Sequence, residues 1–80
     1  MELKLGVYRH YKGNYYQVMG LARHSETLEI LVVYQALYGN FGMWVRPFEM
    51  FVENIIFEAK EIPRFEFIDE SFSKTHDFES

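Results

Sequence analysis

Two Arg-His dipeptides, Arg9-His10 and Arg23-His24, carry the side chains of this sequence best suited to chemistry. Histidine titrates near neutral pH and serves as acid, base or metal ligand. The second dipeptide runs into Ser25-Glu26, so His24, Ser25 and Glu26 have the residue types of a hydrolytic triad. Triad members converge from separate elements, and neighbours in one short segment do not. A polar turn is the plainer reading, with Ser25 bonding local backbone and Glu26 neutralising Arg23 or capping a turn amide. His10, His24 and Glu26 would also give the three ligands of a catalytic zinc site, the basis of an enzymatic alternative. No His-x-x-x-His spacing, paired-carboxylate pattern or Gly-rich phosphate loop accompanies them. The expectation is a non-enzymatic protein with no cofactor and no metal.

A second constellation mixes rings and charge. A hairpin turn centred near Asn40 predicts Tyr34 opposite Arg46 and Ala36 opposite Trp44, all four on one face. Gln35, Leu37, Met43 and Val45 share the other. Trp and Tyr beside Arg hold a base, a sugar ring or a proline-rich peptide by stacking and cation–π contact. The competing reading buries Trp44 and Tyr34 with Ile30 and Val32 of the same parity, leaving Arg46 to reach outward and Gln35 as the outer polar residue. Both readings stand at this level. Arg9 and Arg23 extend a basic rim in either case. The candidate binding set is therefore Arg9, His10, Arg23, His24, Glu26, Tyr34, Gln35, Trp44 and Arg46.

The composition sets bounds on partners. Of 80 residues, six are Tyr, eight Phe and one Trp, and the net charge is −4. All Tyr fall at or before Tyr38 and all Phe at or after Phe41. Residues 1–46 hold five bases against three acids, and residues 47–80 three bases against nine acids. The acidic total opposes uniform nucleic-acid binding and favours a protein or peptide partner, while the first half keeps a mildly basic surface. There is no Cys, no leader pattern and no apolar run long enough to span a bilayer, which fits a cytoplasmic protein without membrane contact.

The elements that must position these residues are short and β-rich. Gly6–Tyr11 alternates, Lys12-Gly13-Asn14 turns, and Tyr15–His24 follows with Gly20 marking a bulge or bend where the strand changes sheet. A turn about Gly13 sets His10 opposite Tyr16. Leu28–Leu37, Met43–Arg46, Asn54–Glu58 and an edge strand over Ile62–Ile68 complete the set, with one helical turn at Phe48–Phe51 after Pro47. These five to six strands predict an all-β fold, a small SH3-like barrel over residues 1–70, followed by a flexible tail over 71–80.

The wording of the chain is itself specific. Tyr8-Arg9-His10-Tyr11-Lys12-Gly13-Asn14, Ala22-Arg23-His24-Ser25-Glu26-Thr27, Val32-Val33-Tyr34-Gln35, Leu37-Tyr38-Gly39 and Trp44-Val45-Arg46-Pro47 with Met50-Phe51 resemble a bacterial domain of unknown function, number 1653 of that series. A looser echo follows at Pro63-Arg64-Phe65, and the connector Glu58-Ala59-Lys60-Glu61 departs from the family's wording. The resemblance implies a stand-alone SH3-like barrel with no assigned activity and no site residues to transfer. The functional expectation is a small binding module that recognises a peptide or a single-stranded nucleic-acid segment through its aromatic and mildly basic surface. A homodimer burying Phe51, Phe57, Phe65 and Phe67 is a further alternative.

Overall fold

A computed structural model describes residues 2–70. Its elements run β1 (Gly6–His10), β2 (Tyr15–Arg23), β3 (Ile30–Ala36), β4 (Met43–Pro47), α1 (Phe48–Phe51), β5 (Asn54–Phe57), β6 (Lys60–Pro63) and β7 (Phe65–Asp69). The single edge strand expected over Ile62–Ile68 is two strands. Arg64 separates them, because its amide donates to the Glu53 carbonyl at 3.1 Å and its own carbonyl accepts the Tyr11 amide at 2.9 Å. The tail expected over 71–80 lies outside the described residues.

The all-β class holds, but the expected SH3-like barrel does not form. Five strands make an open antiparallel sheet in the order β4-β3-β2-β1-β7, and β5 and β6 pair with each other as a separate ribbon. Closure would require the outer strands β4 and β7 to find partners. The ribbon supplies none, because Glu58 and Ala59 at φ 52° and 66° fold β6 straight back onto β5. An order of short strands does not reveal whether the last ones complete a barrel or pair among themselves.

Both predicted hairpins slip by two residues. Tyr8, not His10, lies opposite Tyr16, and Tyr34 pairs with Trp44 while Val32 pairs with Arg46. A two-residue slip keeps every side chain on its predicted face, because the strand period is two. The second hairpin owes its register to a wide connection in which Gly39 and Phe41 take φ of 61° and 57°. Gly20 follows a true bulge, since the β2–β3 register shifts between Val18 and Gly20. The strand nonetheless stays in one sheet rather than changing layer.

The core lies on one face of the sheet, beneath α1. Tyr8, Val18, Val32, Tyr34, Phe51 and Phe65 form it, with Leu3, Tyr16, Phe48 and Phe67 packed around them. Phe51 and Phe65 stack with centroids 4.1 Å apart and planes 7° from parallel. Burying such rings removes on the order of 150–250 Å² each from water, which is how so short a chain finds enough apolar contact. Phe51 and Phe65 are therefore interior and Phe67 flanks them, while Phe57 stands exposed. Gly6 sits where β1 meets β7, at φ 139°, with the backbone of Asp69 and Glu70 occupying the place a Cβ would take.

Candidate functional site

The two readings of the Tyr34–Trp44 hairpin divide between its members. Tyr34 is sealed in the core at 5% exposure, while Trp44 stands 58% exposed on the outermost strand. Met43 and Val45 beside it are also exposed. The Ala36 amide donates to the Gly42 carbonyl at 2.9 Å, so bonded pairs alternate from there along β3 and β4. Tyr34–Trp44 and Val32–Arg46 exchange bonds, and the amides and carbonyls of Met43 and Val45 face the open edge. The opposite edge is guarded differently: β7 carries Glu66 and Asp69, followed by Glu70, the charged residues that blunt an edge strand. Met43, Trp44 and Val45 bring no charge to theirs.

Arg46, two positions from Trp44, anchors the inner face of this edge. Its Nε donates to the Tyr34 hydroxyl at 3.3 Å, and its guanidinium carbon lies 5.6 Å from the Phe65 ring centre. Among the described residues it forms no ion pair; the salt bridge present is Arg64 to Glu53. The same Phe65 ring is met edge-on by His10 at 4.9 Å and by Tyr16 at 5.7 Å. The Tyr16 hydroxyl lies 2.7 Å from that of Tyr38. Burial, reinforced by this hydrogen bond, pushes the Tyr16 hydroxyl up to about 12. Burial also lowers His10, and the positive charges of Arg46, Arg64 and Lys12 add to the effect.

The family model described as a protein of unknown function, DUF1653, matches residues 6–67. The chain belongs to the DUF1653 family. A crystal structure of a DUF1653 protein from Bordetella bronchiseptica is similar to it at 41% sequence identity with a TM-score of 0.80, covering 86% of this chain and 91% of that one. No curated protein matches.

In this DUF1653 chain the remaining candidate residues serve turns and a second face. The His24 Nδ1 accepts the Glu26 and Thr27 amides at 3.1 and 3.3 Å, and Arg23 donates to the Leu28 carbonyl at 3.0 Å. The segment forms a polar turn, but the imidazole rather than Ser25 or Glu26 caps the loop. His10 repeats the device, accepting the Lys12 amide on Nδ1 at 3.1 Å. The two histidines stay apart: β2 separates their turns, a span of roughly 25–30 Å at about 3.3 Å per residue. Among the described residues no group of three His, Cys, Asp or Glu is placed to hold a metal ion. The three-ligand zinc site of His10, His24 and Glu26 is not assembled, and the His24 Nδ1 of the His24-Ser25-Glu26 segment is taken up by turn amides.

Gln35 is likewise structural, its amide nitrogen donating to the Phe41 carbonyl at 3.0 Å and clipping the β3–β4 hairpin. Arg9 lies away from Arg46, in a groove with Tyr11, Phe57, Ile62, Pro63 and Glu66. Among the described residues no helix is long and apolar enough to cross a membrane. Three residues of the assembled cluster, Tyr16, Tyr38 and Phe65, are not in the candidate binding set drawn from the sequence. The confinement of Tyr to the first half was the signal for two of them, and Phe65 arrives from a strand distant in sequence.

Proposed function

We propose that this DUF1653 domain is a non-enzymatic binding module that takes an extended segment of a partner protein along the open edge of β4. The exposed Trp44 on a strand edge that is unpaired among the described residues carries this reading. An added strand bonds to the outward amides and carbonyls of Met43 and Val45, and alternate side chains pack on Trp44. Arg46, the charged residue of β4, favours a segment with an acidic residue nearby. A peptide suits this geometry better than single-stranded nucleic acid, which needs a row of stacking rings in a basic groove. Here Tyr34 is buried and one indole remains.

Panning a random decapeptide library against the full chain tests the proposal, with Val45→Pro as the counter-target. The Val45 amide makes no bond to β3, so proline removes the docking donor and leaves the sheet intact. Selected peptides that shift the Met43 and Val45 amide resonances and lose binding to Val45→Pro support it. Enrichment equal on both targets overturns it, as does a thymidine oligonucleotide that perturbs Trp44 while no peptide does.

A further inference from the structure

Three groups around the Phe65 ring end in hydrogen-bond donors with no acceptor among the described residues. His10 has its Nδ1 committed as acceptor to the Lys12 amide, which fixes the neutral ring as the Nε2–H tautomer. Arg46 spends Nε on the Tyr34 hydroxyl, leaving its two terminal nitrogens without a partner among the described residues. Tyr16 and Tyr38 share one hydrogen bond, so one of the two O–H groups remains to donate elsewhere. The groups are gathered rather than scattered: the His10 and Tyr16 ring centres and the Arg46 guanidinium carbon all lie within 6 Å of the Phe65 ring centre. Among the described residues no carboxylate pairs with Arg46 or His10, and the Glu53 carboxylate is bound to Arg64.

The geometry points to an oxyanion subsite formed by His10 Nε2, the Arg46 guanidinium and the Tyr16–Tyr38 hydroxyl pair, which takes a carboxylate or a phosphate group. The planar fork of Arg46 presents two parallel donors to either group. Phe65 and Tyr34 form an apolar floor that strengthens the contact by excluding water. The groups facing His10 are Arg46 on β4, Arg64 after β6, Lys12 in the first turn, and Tyr11 and Tyr16. Their charges are positive or absent, so an anion relieves an existing repulsion. The subsite does not depend on the peptide-docking proposal and is tested without a peptide.

His24 supplies an internal control, because it uses the same Nδ1 cap at the far end of β2. The experiment follows the His10 and His24 ring resonances of the full chain through pH titrations in chloride, acetate and inorganic phosphate at matched ionic strength. Filling the subsite raises the His10 pKa by about one unit and leaves His24 where chloride leaves it. Arg46→Gln reduces that rise. A response to acetate alone identifies a carboxylate as the ligand, and a response to phosphate alone a phosphate group. Equal movement of both histidines, no movement of either, or a full response in folded Arg46→Gln overturns the subsite. Failure here leaves the β4 edge untouched, and failure of peptide capture leaves the subsite standing.

Discussion

Arg46 reaches diagonally across the β3–β4 ladder to Tyr34, its Nε 3.3 Å from a hydroxyl that belongs to the residue paired with Trp44. This contact fixes the boundary between core and binding edge: Tyr34 is sealed below it while Trp44 stands free beside it. Removing the hydroxyl leaves a half-buried guanidinium short of one acceptor. Tyr34→Phe is expected to cost about 1–2 kcal/mol. In a double-mutant cycle with Arg46→Lys the two changes couple by about 0.5–1.5 kcal/mol. Urea denaturation of the four proteins measures both, and strict additivity would remove the link.

Aromatic truncations separate core from edge. Phe51→Ala opens the stack with Phe65 and is expected to cost about 3–5 kcal/mol, much of the stability such a domain has. Trp44→Ala, although it deletes a larger ring, is expected to stay within about 0.5 kcal/mol because that ring is mostly in water. Comparable losses from the two would place Trp44 in the core after all.

Gly6→Ala probes the seam between β1 and β7. The backbone there sits at φ 139°, and the added methyl meets the main chain of Asp69 and Glu70. Strain and overpacking together are expected to cost about 2–4 kcal/mol. Gly13→Ala is the control: it also has positive φ but open space around it, so strain alone acts. A thermal scan showing the two equally stable would refute the tight seam.

Stability should depend on pH in two windows of opposite sense. Burial first, then Arg46, Arg64 and Lys12, hold His10 below its ordinary 6.5. The unfolded chain therefore binds protons more readily there, so the His10 contribution is complete above about 6.5 and is lost as pH falls through the folded value. Chemical denaturation at successively lower pH is expected to show this loss, reduced in His10→Gln. Tyr16, pushed up to about 12, works the other way. Its protonated form is favoured in the fold, so its contribution is complete below about 10 and is lost as pH climbs through about 12. Burial raises Tyr8 as well, so ultraviolet titration should show both as late tyrosinates, with the Tyr16 step shifted earlier in Tyr38→Phe.

Local signals in the sequence determined a good deal. The alternating runs and the turn residues between them located β1 to β4, and Pro47 placed the helical turn at Phe48–Phe51. Face assignment survived a two-residue error in both hairpins, because parity is a local property and repeats every second residue. Tertiary structure alone decided the rest. Whether β4 and β7 meet depends on where the β5–β6 ribbon goes, and no residue within those strands encodes that. Tyr34 and Trp44 are cross-strand neighbours on one face, yet one is buried and the other open, because Phe51 and Phe65 pack on Tyr34 and no further strand among the described residues pairs with β4. The cluster of His10, Tyr16 and Arg46 exists because Phe65, brought in by the last strand, gives three distant residues one ring to gather around. Pattern along a chain reports which side of a strand a residue takes, whereas coverage of that side depends on elements far away in sequence.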